Sequence, residues 1–168
     1  MRKVVLFIAS SLDGFIAAKN DDLSWLFTEG EYGYKKLINS VDTLLMGRKT
    51  YEILLTFGAW EYSDKKCYVF SKKKIEDKRI IVSNDPLSIT KKLLKENGKD
   101  IWLIGGGKLI GSLVNEGLVD EIILSIHPII LGEGTPLFPE IKKWVYLVAK
   151  KAEKFDSGLV QLTYEFKK

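Results

Sequence analysis

One cysteine, one histidine and three arginines stand among the 168 residues of this chain. With Cys67 alone, no internal disulfide can form, and a zinc site built from several Cys and His ligands is excluded by number. A Ser–His or Cys–His catalytic pair would have to use His127. That residue sits in the apolar run Ile122–Leu131, just ahead of Pro128, where a packed histidine is the better reading. The shortage of arginine also qualifies the net charge of +4 and the pI near 9.0. Lysine outnumbers arginine 23 to 3, so the planar fork that recognises bases and nucleic-acid phosphates is scarce. No nucleic-acid partner is expected; the charge suits small anionic molecules instead. No stretch approaches the ~20 apolar residues of a membrane span, so no membrane partner is expected either. The run from Val4 to Ala9 is too short for a secretion signal and reads as a first strand, which points to the cytoplasm. Repeats, low-complexity tracts and linkers are absent, so residues 1–168 read as one domain.

What is present alternates between strand-like and helix-like segments, the pattern of a mostly parallel sheet covered by helices. Short apolar runs at 4–9, 43–46, 67–70 and 101–104 predict buried strands, with a further short one at 79–82. Helical spacing appears over 31–40, 48–55, 88–96 and 108–116. The last third changes character: 121–130, 145–155 and 159–166 read as strands, with Asp156-Ser157-Gly158 as a hairpin turn. The fold class is therefore α/β, with a mixed sheet that is parallel first and antiparallel at its C-terminal end.

Two strands run straight into glycine and then a helix. Ile101–Ile104 leads to Gly105-Gly106-Gly107, which brings bare backbone N–H groups to the positive end of a helix dipole, a seat suited to a diphosphate. The Rossmann spacing fails because Ile110 stands where a third glycine is needed, and the Walker pattern fails because Leu109 follows Lys108. A tight turn without ligand explains this motif equally well. The second case is Leu44–Gly47 followed by Arg48, Lys49 and Thr50. Cations in a first helical turn oppose the helix dipole, so a bound anion would account for them. A third strand ends in Ser71 and Lys72, which could hold a ribose 2′-phosphate or simply form a lysine-rich surface loop.

Together these strand ends resemble the dihydrofolate reductase superfamily, and within it the riboflavin-biosynthesis branch: the reductase domain of bifunctional deaminase–reductases and their stand-alone relatives. The resemblance rests on Ile8–Ala17, Met46–Glu52, Val69–Lys72, Ile104–Gly107 and Leu131–Phe138, in family order; residues 18–34 and 56–66 match poorly. It implies an α/β/α sandwich with NADPH lying across the strand C-termini. Carried over by position, Gly47, Arg48, Lys49 and Thr50 would surround the pyrophosphate and adenosine end. Ser71 and Lys72 would lie at the 2′-phosphate. Gly105, Gly106 and Gly107 would face the pyrophosphate and nicotinamide ribose, and Ala9 and Ile16 would flank the nicotinamide. Asp13-Gly14 would belong to a mobile loop and Gly132-Glu133-Gly134 to a second flexible element.

For the substrate, Glu31 stands fifteen residues before Met46 (46 − 31 = 15), where the resemblance places the acidic residue that holds a pterin. It is the candidate catalytic proton manager, although a carboxylate at a helix N-terminus is also a good capping residue. Where the folate branch clamps its tail with arginine, this chain has Lys65-Lys66, which lack the two-pronged donor. Dihydrofolate reduction is therefore a secondary reading. The leading one is NADPH-dependent reduction of a small carbonyl or imine compound, such as 5-amino-6-(5-phosphoribosylamino)uracil. A non-catalytic NADP-binding sensor and a lysine-based RNA binder complete the set. The apolar segment Ile122–Leu131 is a candidate support for a homodimer, and no metal is expected.

Overall fold

The computed structural model describes residues 1–167. Ten strands and four α-helices follow in order: β1 (Val4–Ser10), β2 (Phe15–Ala17), α1 (Tyr34–Ser40), β3 (Val41–Gly47), α2 (Arg48–Leu54), β4 (Lys66–Phe70), β5 (Ile81–Ser83), α3 (Pro86–Leu93), β6 (Asp100–Gly105), α4 (Gly107–Asn115), β7 (Glu121–Ile126), β8 (Thr135–Pro136), β9 (Leu147–Lys154) and β10 (Val160–Phe166). Eight strands form one sheet in the order β5-β4-β3-β6-β1-β7-β10-β9. The first six are parallel, and β10 and β9 join antiparallel. Phe155 to Leu159 closes the final hairpin through a backbone hydrogen bond of 2.9 Å.

Both faces of the parallel part are covered, and so its strands are apolar almost throughout rather than alternating. Leu6, Leu45, Ile101 and Leu103 point to the layer of α3 and α4, where Leu93, Ile110 and Leu113 meet them. Their chain neighbours Val5, Leu44, Met46 and Trp102 point the other way, towards Leu37 of α1 and Tyr51 of α2. α3 starts where Asp85 accepts the Ser88 N–H and Pro86 takes the first turn, a position that needs no donor. β7 ends at Ile126, four residues short of the expected strand: the His127 N–H makes a last bond to the Ser10 carbonyl of β1 (2.8 Å), and Pro128, next in the chain, has no N–H to give. β7 also lies between β1 and β10, so both of its edges are already paired. The Ile122–Leu131 segment expected to support a dimer is thus an inner strand followed by a loop.

The N-terminal ends of the strands are fastened by a buried arginine. Arg2, 7% exposed, donates from Nε to the Lys99 carbonyl (2.6 Å) and from Nη2 to Thr43 Oγ1 (2.8 Å), and forms an ion pair with Asp42. A small ribbon, β2 against β8, lies outside the main sheet and was not expected from sequence. Among the described residues no helix is long and apolar enough to cross a membrane.

Candidate functional site

Parallel pairing brings the C-terminal tips of the strands to one rim. The register sets Met46 beside Gly105, Gly47 beside Phe70, and Phe70 beside Ser83. On the other side Ser10 is level with Ile126. The tips of β3 and β6 are tied directly, since the Gly106 N–H donates to Thr50 Oγ1 at 3.1 Å. Thr50 therefore joins the start of α2 to the start of α4.

The three glycines differ in what surrounds them. Gly105 has φ +146°, a conformation that L side chains rarely adopt, so it makes the turn out of β6. A Cβ on Gly106 would touch only Thr50 Oγ1, at 3.7 Å, so its other side is open. A Cβ on Gly107 would lie 2.6 Å from the Pro136 carbonyl oxygen and 3.2 Å from the Pro139 ring. Gly111, one turn further along α4, faces the Pro139 carbonyl in the same way. Gly107 is thus explained by the 136–139 segment packing onto α4, while Gly106 keeps an open face. No side chain caps α4, whose first-turn amides point to the rim.

The cations around this rim are partly engaged. Arg48 pairs with Glu52 along its own helix (2.5 Å), and Lys49 pairs with Asp21 (3.2 Å). Both ion pairs are exposed and weak, so a more highly charged partner can displace them. The Ser71 hydroxyl is spent locally: it donates to the Lys73 carbonyl and accepts the Lys73 N–H, both at 2.9 Å. Ser71 therefore shapes the loop that holds Lys72, which is exposed and forms no ion pair among the described residues. Ala9 and Ile16 are half-buried, on β1 and β2.

Two segments expected as separate flexible elements are joined. Asp13 accepts from the Ser11 hydroxyl (2.7 Å) and from the backbone N–H groups of Leu131 (3.1 Å) and Gly132 (2.8 Å). The Ser11 hydroxyl, outweighing a desolvation effect, and the two amides bring the Asp13 carboxyl down to about 2. The Leu12 N–H reaches the Ile129 carbonyl, and Lys19 pairs with Glu133 at 3.3 Å. The 11–22 and 129–137 segments thus form one unit beside the rim.

Glu31 is exposed, and its carboxylate accepts from the Gly33 N–H (3.2 Å) and from that of Lys35. It caps α1, which is the capping role weighed for it above. Lys65 sits against Asp64 at 2.9 Å. His127 is buried, and its Nε2 accepts from the Phe27 N–H (3.2 Å) while Nδ1 faces the Ser125 carbonyl (3.3 Å). Trp25 and Phe27 stand against its ring, so His127 pins the 22–29 loop to the end of β7.

Against the Tyr32 carbonyl lies a polar pair that sequence reading missed, Ser125 on β7 and Gln161 on β10. They are register partners, and Ala9 of β1 is the partner of Ser125 on its other side. Ser125 was visible as a lone hydroxyl inside an apolar run; Gln161 alternates with apolar neighbours and gave no comparable signal. Among the described residues no group of three or more His, Cys, Asp or Glu is placed to hold a metal.

With this geometry in view, comparison with known proteins is informative. The family model of the RibD C-terminal domain matches residues 2–161. The uncharacterized Bacillus subtilis proteins YyaP and YwjB are each 38% identical, over 98% and 97% of this chain and 95% and 97% of their own. A Shewanella sp. PV-4 crystal structure, of a protein described under riboflavin biosynthesis, superposes with a TM-score of 0.87 at 31% identity over 99% of both chains. A Thermotoga maritima bifunctional deaminase and 5-amino-6-(5-phosphoribosylamino)uracil reductase shares the fold, with a TM-score of 0.74 at 15% identity. There the match covers 99% of this chain and 57% of the other.

Proposed function

Because the chain belongs to the RibD C-terminal domain family, we propose that it is an NADPH-dependent reductase acting on a small carbonyl or imine compound. Its leading substrate is 5-amino-6-(5-phosphoribosylamino)uracil. One observation carries this reading: the glycine-bearing tips of β3 and β6, the uncapped start of α4 and the cations of α2 and the β4 loop gather on a single rim. NADPH fits it, since Gly106 presents no side chain where one would intrude between a phosphate and the uncapped amides of α4. When bound, NADPH supplies the hydride.

The chain's own residues then bind and orient. The uncapped first amides of α4 would receive pyrophosphate across the bare Gly106, with Arg48 exchanging Glu52 for it and Lys49 adding charge. Thr50 holds the two tips in register. Lys72, on the loop that Ser71 shapes, reads the 2′-phosphate. Ala9 and Ile16 flank the nicotinamide, and the unit fastened by Asp13 closes the site from the side. Glu31, already bonded to two amides, orients the start of α1 and is the carboxylate available to manage a proton there.

The test is a titration with NADPH and with NADH, followed by turnover on a carbonyl and imine panel that includes the aminouracil. Lys72→Glu is expected to weaken NADPH on the order of 10- to 100-fold and NADH far less. Equal losses remove the 2′-phosphate assignment. Absence of binding by either dinucleotide removes the reductase reading itself. Tight NADPH binding with no turnover on any substrate favours a sensor.

A further inference from the structure

Ser125 and Gln161 are buried or half-buried polar residues on neighbouring strands, and their hydrogen bonds leave a specific remainder. Gln161 Nε2 donates to the Tyr32 carbonyl (2.8 Å) and to Ser125 Oγ (3.0 Å). The Tyr32 carbonyl can only accept, so the orientation of the amide is fixed and both its N–H groups are used. Its oxygen, Oε1, has no partner among the described residues. Among the described residues the one buried side-chain nitrogen or oxygen lacking a partner is Trp60 Nε1, so Gln161 Oε1 still reaches solvent. Ser125 Oγ accepts from Gln161, and its own proton has no acceptor in the chain among those residues. Gln161 Oε1 is thus a spare acceptor and the Ser125 hydroxyl a spare donor, on two residues that are register partners.

The pair is placed one and two strands from Ala9 on the same face, at roughly 5 Å per strand. Gly33 lies close by: a Cβ there would come into ordinary contact with Gln161 Oε1, at 3.9 Å, so glycine at that position keeps a side chain off the oxygen. A ligand edge that satisfies both groups carries an N–H beside a C=O in one plane, which is the edge of a lactam or ureide. We propose that Ser125 and Gln161 select the substrate by its lactam edge, Gln161 Oε1 accepting a ring N–H and the Ser125 hydroxyl donating to the adjacent carbonyl. This rests on the reductase reading only for the position of the hydride beside Ala9. A ring lacking either group leaves one of the two unsatisfied, and discrimination by a site built to hydrogen-bond is steep.

The probes are 5,6-diaminouracil and its 1-methyl and 3-methyl derivatives, titrated into NADPH-loaded and cofactor-free protein. Wild type is expected to lose about 10-fold or more on one of the two methylations. Gln161→Met is expected to bind the parent more weakly, and that methyl derivative equally well as the parent within about twofold. A methylation loss that persists unchanged in Gln161→Met shows that Gln161 only anchors α1, and overturns the proposal. So does equal binding of all three rings to wild type, or no binding of the parent. If Gln161→Met does not fold, Ser125→Ala against thiocarbonyl analogues makes the same comparison through the hydroxyl. NADPH binding without the methylation pattern overturns the edge reading alone. The pattern in cofactor-free protein without NADPH binding overturns the reductase reading alone.

Discussion

Replacing Gly106 and Gly107 one at a time by alanine separates packing from cofactor binding. At Gly107 the new methyl would stand 2.6 Å from the Pro136 carbonyl oxygen and 3.2 Å from the Pro139 ring, so backbone must move. Overpacking of this kind costs about 1–3 kcal/mol, and little helix propensity is regained at the first helical position. For a domain of this size each kcal/mol lowers Tm by about 2–4 °C, which predicts a fall of about 2–12 °C for Gly107→Ala. At Gly106 the methyl meets only Thr50 Oγ1 at 3.7 Å, an ordinary contact, and projects into open space. If that space receives phosphate, the Gly106→Ala methyl holds the anion off the free amides of α4 and forfeits a charge-assisted bond of about 1.5–3 kcal/mol, on the order of 10- to 100-fold in NADPH Kd. Thermal melts without ligand and fluorescence titrations with NADPH read the two effects separately. The reversed pattern, Gly107→Ala stable but deficient in cofactor and Gly106→Ala unstable but fully binding, would refute the argument.

Three further outcomes follow from the fastening of loops and the core. Asp13→Asn sets a donor against the Gly132 N–H, so amide exchange at Leu131 and Gly132 should accelerate. In wild type the same contacts persist at ordinary pH and weaken only as pH drops from the usual carboxylate range towards about 2, because a depressed carboxyl stabilises the fold above its unfolded value. Exchange unchanged by the substitution would exclude the clamp. Burial pushes the Cys67 thiol up to about 11, so at pH 8 roughly one in a thousand is ionised; iodoacetamide labelling at a free-thiol rate, read by intact mass, would contradict that burial. Burial, only partly offset by the Ser125 carbonyl, lowers the His127 pKa below its ordinary value. Its neutral form therefore supports the fold above about 6.5, and that support is lost as pH falls below it. The drop in Tm between pH 7.5 and 5 should shrink in His127→Gln, and an equal drop in both proteins would assign it elsewhere.

The sheet was legible because its central strands are covered on both faces and so read as unbroken apolar runs, as at Thr43–Met46 and Ile101–Ile104. The tight turns after them announced themselves through Gly47 and Gly105. The ribbon of β2 and β8 was not legible: three residues pair with two across more than a hundred positions, too little for any periodicity to register. The strand ends that the sequence singles out do meet at one rim, but the sequence does not give the reason for each glycine there. Gly107 and Gly106 look alike in sequence, and only the approach of Pro136 tells them apart. Glu31 carried two readings, and its bonds to Gly33 and Lys35 show the capping one in place. Gln161 was missed since its importance comes from lying opposite Ser125, a relation created by an antiparallel pairing 36 residues long in sequence.

The buried Arg2 has a consequence for how this architecture can change over time. It knots the sheet at the end away from the strand C-termini, joining the second residue of the chain to Asp42, Thr43 and Lys99. Integrity is thereby concentrated at one pole, and the opposite pole is free to vary in shape and charge without threatening it. A scaffold divided in this way can have its loops retuned at one pole, while even a conservative exchange of that one arginine would be felt by every variant.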